Sequence, residues 1–284
     1  MKLFYKLIGV LIILGWSGCA MKETAPGKSA APEPHGQKVN AYYYAPYEDQ
    51  STVEKKLEAT GFEIVAAYPL PNGSTSIIIT NDELEQASAK PGRGFAAILR
   101  VLVDAKQHRV TMTNPVYFGK AFLQQDYNHD LGLSLTGLLK DALGPLTASP
   151  DAYNYDALED FRFMIGMPTF DNTYLLGEGT DDVLLSKLET YDEGKNIVFK
   201  LPVGAGQTLV GFKLGKRTES FVGKIGEENA EVLPYTILIE DGKATALKVE
   251  YYIAISYPLL TMGQFMDIAT LPGAVERELA KPFK

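Results

Sequence analysis

Two stretches of the sequence lead to the predicted fold: Val110-Thr-Met-Thr-Asn-Pro-Val-Tyr-Phe-Gly-Lys-Ala-Phe122 and Tyr251-Tyr-Ile-Ala-Ile-Ser-Tyr-Pro-Leu-Leu-Thr-Met-Gly-Gln-Phe265. In each, an extended apolar run ends at a proline, and a phenylalanine follows seven residues after that proline. Proline cannot donate an N–H to a β-ladder but suits the first turn of a helix. Each stretch therefore predicts a strand that ends at the proline and a helix that begins there. The pattern shared by the two stretches predicts an internal duplication.

The segments around both stretches follow a common order. In the first half, a helix that ends at Gly61 precedes predicted strands over 62–68, 74–80, 95–104 and 109–113. In the second half, a helix over 182–191 precedes predicted strands over 196–201, 208–214, 236–240 and 243–256. The last two strands flank Asp241-Gly242, which is typical of a two-residue hairpin turn.

This order predicts an α+β fold of two similar units, each a small, mostly antiparallel sheet with helices on one face. The units would form an internal pseudo-dimer, with boundaries at 39–145 and 172–284 and a connector over 146–171. Two unrelated α+β units that converged on one order are the alternative. The predicted core includes Ile77, Ile79, Leu99, Val101, Val210, Ile237, Ile253 and Ile255.

The N-terminus has the features of a secretory signal. Lys2 and Lys6 precede an apolar run over 7–16, which is too short to span a bilayer. Small residues then lead to Cys19, the single cysteine of the chain. This resembles the lipobox of bacterial lipoproteins, although Trp16 stands where that motif usually has an aliphatic residue. A plain secreted protein cut near Ala20, or a short uncleaved anchor, is the alternative.

The lipoprotein interpretation implies a signal peptide over 1–18, lipid on Cys19 and a flexible tether over 19–38 that is rich in Ala, Pro and Gly. Residue 20 is Ala and not Asp, which resembles the pattern that sorts such proteins to the outer membrane, facing the periplasm. Cleavage removes two lysines and no acids, so the formal charge changes from -8 to -10. With Cys19 acylated, no disulfide can form, and the fold depends on its core.

The acidic composition excludes one class of partner. A net charge of -8 and a pI near 5.1 provide no basic surface for nucleic acid, whose binding depends on neutralising phosphates. The sequence also predicts no cofactor and no metal. Asp126, Asn128 and Asp130 alternate like the start of a calcium loop, but Leu131 and Gly137 replace the glycine and glutamate which that loop requires. A polar loop that caps a helix is the favoured interpretation.

The order of the predicted elements and three short sequence motifs resemble those of a known family. The motifs are the helix and strand over 52–65, Arg100-Val-Leu-Val103, and Thr113-Asn-Pro-Val-Tyr117. Over residues 39–125 they resemble the bacterial "domain of unknown function 302" family. The resemblance implies a small α+β fold that pairs with itself, and it implies no established activity or catalytic residues. The second half departs from the pattern, because Ser256-Tyr-Pro258 replaces Asn-Pro.

The candidate binding residues lie at loops and strand ends. Arg93 belongs to the glycine-rich loop over 90–94, which could present amides and cations to an anion or be an ordinary connection. Asn114 and Tyr117 at one junction, and Ser256 and Tyr257 at the other, would border a groove between the units. We therefore expect a non-catalytic binding or accessory module of the envelope, with the membrane as a partner through Cys19. The alternatives are a carrier of a small apolar ligand and an enzyme that uses the acidic loop over 126–130.

Overall fold

The structure, a computed structural model, describes residues 31–204 and 206–284. The predicted signal peptide, Cys19 and the tether as far as residue 30 lie outside the described residues. Residues 32–284 form one compact α+β unit of antiparallel sheets and helices. Within the described residues, no helix combines the length and the apolar character needed to cross a membrane.

The first half of the chain builds a six-stranded antiparallel sheet. Its elements are β1 (Lys38–Asn40), β2 (Tyr42–Pro46), α1 (Gln50–Ala59), β3 (Glu63–Pro69), β4 (Thr75–Thr80), α2 (Asp82–Ser88), β5 (Leu99–Asp104), β6 (Arg109–Thr113), α3 (Pro115–Leu123), α4 (His129–Leu143), β7 (Thr147–Ala148) and β8 (Ala152–Asn154). The strand order is β3-β4-β5-β6-β2-β7, and β1 pairs separately with β8.

The second half builds a five-stranded antiparallel sheet. Its elements are β9 (Thr173–Glu178), α5 (Asp181–Thr190), β10 (Ile197–Pro202), β11 (Gln207–Phe212), α6 (Lys216–Glu219), α7 (Val222–Ile225), β12 (Tyr235–Glu240), β13 (Lys243–Leu247), α8 (Val249–Ser256), α9 (Met262–Asp267) and α10 (Leu271–Ala280). The strand order is β10-β11-β12-β13-β9.

The two sheets share one topology. Both halves run strand, helix, two strands, short helix, two strands and helix, and both place the first strand beside the last. The contacts between the halves are also reciprocal. The 3₁₀ turn Gly94–Ala96 packs on β11 and β12, and the 3₁₀ turn Ala230–Val232 packs on β4 and β5. Reciprocal contacts characterise two-fold pairing, so the arrangement is compatible with an internal pseudo-dimer.

Side chains of β4 show how the first sheet divides the core. Ile77 and Ile79 point to one face, where they pack with residues of α1 and α4, whereas Ile78 points to the other face. That second face belongs to a larger cluster, which also includes α3, α8 and the strands of the second sheet. All eight predicted core residues are buried.

The junction at Asn114 and Pro115 forms as its sequence predicts. Strand β6 ends at Thr113, and the Asn114 Oδ1 atom accepts a hydrogen bond of 2.9 Å from the Val116 N–H, while Pro115 occupies the first turn of α3. The hairpin at Asp241-Gly242 is also confirmed, with positive φ angles of 49° and 73° at the two residues.

The prediction of a long strand over 243–256 was wrong. Strand β13 ends at Leu247, and Val249–Ser256 is the helix α8. Position for position, the counterpart of Asn114-Pro115 is therefore Lys248-Val249 and not Tyr257-Pro258. Almost every residue of α8 is buried, so its apolar run shows no polar face that would distinguish it from a buried strand.

The described end of the tether contacts the folded unit. The Tyr155 hydroxyl donates a hydrogen bond of 2.6 Å to the Glu33 carboxylate, and His35 Nδ1 lies 2.6 Å from the Asp156 carboxylate. Strand β1 then pairs with β8 of the predicted connector. Residues 33–40 thus belong to the folded unit, although the sequence predicts a flexible tether as far as residue 38.

Candidate functional site

Helices α3 and α8 meet at the centre of the molecule through two equivalent hydrogen bonds. The Tyr117 hydroxyl donates to the Ile255 carbonyl oxygen at 3.0 Å, and the Tyr251 hydroxyl donates to the Ala121 carbonyl oxygen at 3.3 Å. Each tyrosine is the third residue of its helix, and each acceptor is the seventh. The carbonyls belong to the last helical turns, where they lack N–H donors inside their own helix. The Tyr117 hydroxyl therefore satisfies the Ile255 carbonyl across the interface, whereas the Ala121 carbonyl accepts from both Tyr251 and the Gln124 Nε2 atom.

Aromatic rings fill the space around these helices. Phe122 packs against Tyr251 and Tyr252, with ring centroids 6.3 Å and 6.4 Å apart, and Tyr42 packs against Phe118 at 5.6 Å. The hydroxyls of buried rings find backbone acceptors, as at Tyr42, which donates to the Ser256 carbonyl at 2.7 Å. The groove predicted between the two units is thus closed by side chains.

A small cavity of about 30 Å³ remains at this interface. Its lining combines aromatic rings with buried polar and charged groups, namely Tyr42, Phe95, Ile98, Arg100, Thr113, Phe118, Phe122, Glu231, Val232, Thr236, Leu247, Tyr252 and Ser256. The volume suits groups of the size of water, whereas pockets for metabolites occupy roughly 300 Å³ or more. The lining contains two ionisable groups, Arg100 from the first half and Glu231 from the second.

Arg100 joins the two halves by backbone recognition. It lies on β5, and its guanidinium donates to the carbonyl oxygens of Glu231 at 3.0 Å and Pro234 at 2.9 Å. Both acceptors lie in the segment between α7 and β12 of the second half. A planar guanidinium that bonds two carbonyls fixes the position of that segment against the first sheet.

The Glu231 carboxyl is buried without a hydrogen-bond partner. The residue is 1% exposed, and neither Oε1 nor Oε2 has a partner among the described residues. Burial raises the pKa of this carboxyl to about 8, because the loss of hydration outweighs the attraction of Arg100 and Arg109. At neutral pH the carboxyl is therefore mainly protonated, and it stores a proton at the centre of the interface.

Asn229 extends this polar cluster towards the first half. Its Nδ2 donates to the Asp151 carboxylate at 2.9 Å and to the Ser256 carbonyl at 3.0 Å, while its Oδ1 has no partner among the described residues. The cluster holds two carboxyl groups and no histidine or cysteine. In the described part of the chain, no three His, Cys, Asp or Glu residues are grouped to hold a metal ion.

Three of the predicted binding residues lie at this interface. Tyr117 donates to the end of α8, Ser256 is the last residue of α8, and Tyr257 donates to the Gly226 carbonyl at 2.9 Å. Asn114 lies nearby as the cap of α3, where its Nδ2 also donates to the Asn40 carbonyl at 2.7 Å. The side chains of Tyr117, Tyr257 and Asn114 each have a protein partner, and the Ser256 carbonyl accepts from Tyr42 and Asn229, so these residues build the interface.

Arg93 lies apart, beside the acidic loop. Its Nε donates to the Asp126 carboxylate at 3.1 Å, and its guanidinium lies over the Phe170 ring. Lys90 contacts the other Asp126 oxygen at 2.9 Å, and the hydrogen bonds from Lys90 and Arg93 lower the pKa of this carboxyl. Asn128 accepts from the Asp130 N–H and caps α4, as the capping interpretation expects.

Sequence reasoning missed Arg100, Asn229 and Glu231. A signal existed, because Arg100 is the only charge in Leu99-Arg-Val-Leu-Val103, and Glu231 lies between apolar neighbours in Asn229-Ala-Glu-Val-Leu-Pro234. A lone charge inside an apolar run marks a buried ionisable group. Nothing in the sequence, however, shows that residues 131 positions apart share one cavity.

Comparison with known proteins identified no relative. The chain matches no family model, no curated protein and no solved structure. The interface geometry and the N-terminal sequence therefore carry the functional argument.

Proposed function

We propose that this chain is a lipid-tethered protein of the bacterial envelope that acts as a non-catalytic binding or accessory module. The signal sequence and Cys19 support the tether, and the Ala20 pattern supports an outer-membrane position facing the periplasm. The observation that carries the non-catalytic role is the closed interface. Where two units would leave a cleft for a substrate, aromatic rings and paired polar groups leave a cavity of about 30 Å³.

A carrier of a small apolar ligand is disfavoured by this volume. A carrier needs an apolar cavity that encloses its ligand, and pockets for small molecules occupy about 300 Å³ or more. The interface cavity is about a tenth of that size and contains Arg100 and Glu231. Binding is therefore proposed for the outer surface of the module.

An enzyme that uses the acidic loop is disfavoured by the partners of Asp126, one of the two acids of that loop. The Asp126 carboxylate contacts Lys90 and Arg93, and Asn128 is committed to the start of α4. A general base or nucleophile needs a free lone pair that faces a substrate. The Asp126 carboxylate instead links its own loop to the loop over 90–94.

Substitution of Cys19 tests the tether. Replacement of Cys19 by Ser removes the thiol that would carry lipid, so the chain should move from the membrane fraction to the soluble envelope fraction. Ala20→Ser is the matched control, because it changes the adjacent position and keeps the thiol. Retention of Cys19→Ser on membranes with unchanged gel mobility would refute the lipid tether.

A further inference from the structure

Five exposed apolar side chains form a surface where the segment over 146–171 meets helix α9 of the second half. Ile165 is 100% exposed, and Leu259 and Met266 are 58% and 62% exposed. The full set, which we call the methionine surface, is Met164, Ile165, Leu259, Met262 and Met266. The rings of Phe163 and Phe265, 5.2 Å apart, hold the loop of Ile165 against α9. Scattered exposed apolar residues are ordinary, but a group from two touching segments marks an interaction surface.

A basic groove adjoins the methionine surface. It has a volume of about 550 Å³, lies between the α6–α7 segment and α10, and includes Arg217, Lys224 and Arg277 in its lining. The Lys224 ammonium donates a hydrogen bond of 3.1 Å to the Asp267 carbonyl oxygen, immediately after Met266. This contact places the cations of the groove next to the apolar side chains of α9.

The three cations lack carboxylate partners. Within the described residues, none of them forms an ion pair. Glu278 also lines the groove, but its two oxygens accept from the Gly215 N–H and the Thr218 hydroxyl. Three cations around one groove contrast with the net charge of -8. Acids farther away than the Debye length, about 8 Å at physiological salt, are largely screened from a ligand in this groove.

We propose that the methionine surface and the basic groove together bind the surface of an anionic phospholipid bilayer. The cations would contact headgroup phosphates, and the flexible Met side chains and Ile165 would enter the interfacial layer. This inference rests on the proposed lipid tether of Cys19. The tether holds the module at a high effective concentration near the bilayer, so a surface of modest intrinsic affinity is sufficient. Together, the two contacts would orient the module on the membrane.

A fluorophore at position 165 tests this proposal in the full chain. Ile165→Cys is purified from whole cells in detergent, labelled with an environment-sensitive thiol dye and mixed with or reconstituted into vesicles of phosphatidylglycerol and phosphatidylcholine. Val183→Cys, on α5, is the matched control because Val183 is also apolar and 49% exposed. An acylated Cys19 cannot react with the dye, so one dye on a chain whose intact mass is that of residues 19–284 plus lipid reports that the tether is intact. Two dyes per chain, or a chain that begins after Cys19, report that the tether is absent.

Insertion should shift the emission at position 165 to shorter wavelength, with no shift at position 183. The shift should weaken in vesicles of phosphatidylcholine alone and at high salt. Replacing Arg217, Lys224 and Arg277 by Gln should lower the ratio of inserted to free module on the order of a hundredfold, from roughly fivefold for each cation.

Three results separate the possible failures. Equal emission at positions 165 and 183, with one dye on each lipid-bearing chain, would overturn the membrane surface and leave the tether intact. Two dyes per chain with a shift confined to position 165 on added vesicles would refute the tether and support the surface. A shift without vesicles that grows with protein concentration would show that a second copy covers the surface, and this would also overturn the proposal.

Discussion

Replacement of Glu231 by Gln should remove a strong pH dependence from the stability of this protein. Burial raises the pKa of this carboxyl from its ordinary 4.5 to about 8 in the folded state. Between these pH values the folded chain keeps a proton that the unfolded chain releases. The free energy of unfolding therefore falls as the pH rises from 4.5 to 8. The stabilising contribution of the neutral acid is fully present below pH 4.5 and is lost by the time the pH passes 8.

The size of the effect follows from the shift. Each pH unit corresponds to about 1.4 kcal/mol for one proton, so a window of about 3.5 units gives a ceiling of roughly 5 kcal/mol. Relaxation around a buried charge reduces this value, and a change of about 2–4 kcal/mol is expected. Glutamine has nearly the same shape as the protonated acid. Glu231→Gln should thus match the parent near pH 5 and exceed its stability by about 2–4 kcal/mol near pH 9.

Urea denaturation followed by far-ultraviolet circular dichroism at a series of pH values measures this difference. The only tryptophan is Trp16, in the predicted signal peptide, so tryptophan fluorescence does not report on the fold. Glu58→Gln is the control, because Glu58 is exposed on α1 and the same substitution there leaves the buried interface unchanged. A difference between Glu231→Gln and the parent that stays constant from pH 5 to pH 9 would refute the reasoning. So would a variant that is less stable than the parent at high pH.

Two further predictions concern packing, and both are read from urea denaturation at one pH. Tyr117→Phe should lower the free energy of unfolding by about 1 kcal/mol, because it leaves the Ile255 carbonyl without its donor. Tyr251→Phe should cost less, because the Gln124 Nε2 atom also donates to the Ala121 carbonyl; equal losses at the two positions would contradict this difference. Gly211→Ala should cost about 1–3 kcal/mol, since the added methyl group would overlap the Phe199 ring. Gly137→Ala is the control, because a methyl group at Gly137 in α4 would meet no neighbouring atom. It should raise the free energy of unfolding by up to about 1 kcal/mol, since alanine favours helices more than glycine does. Equal effects at the two glycines would contradict the packing described.

The first half of the fold was well predicted because its signals are local. Asn114 and Pro115 act within one helical turn, and Gly61, whose φ is 94°, ends the segment after α1 as expected. Such signals need no knowledge of distant contacts. The same holds for Asp241 and Gly242, where two positive φ angles fit the residues that tolerate them.

The second half was harder because burial erases periodicity. Helix α8 is enclosed by both sheets and by α3, so the run from Tyr251 to Ile255 shows neither a polar face nor alternation. Its tyrosines and isoleucines also favour strands intrinsically, and tertiary packing overrides that preference. The similar spacing around Pro115 and Pro258 was therefore a coincidence. The two sheets nevertheless share the topology that this spacing led us to predict.

The site was only partly predictable for a related reason. Tyr117, Ser256 and Tyr257 were selected as groove residues, and all three are buried. The two tyrosine hydroxyls donate to backbone carbonyls, and the Ser256 carbonyl accepts from Asn229. The pair formed by Arg100 and the segment of Glu231 depends on how the two sheets face each other. That geometry arises from the whole fold. The sequence alone could indicate that Arg100 and Glu231 are buried charges, but not that they lie close together.

The intact mass of the protein extracted from its own membranes tests the central claim most directly, because the envelope role depends on the tether. The expected product is a chain of residues 19–284 with lipid bound to Cys19. A chain that begins after Cys19, or one that retains the N-terminal segment with an unmodified thiol, would contradict it.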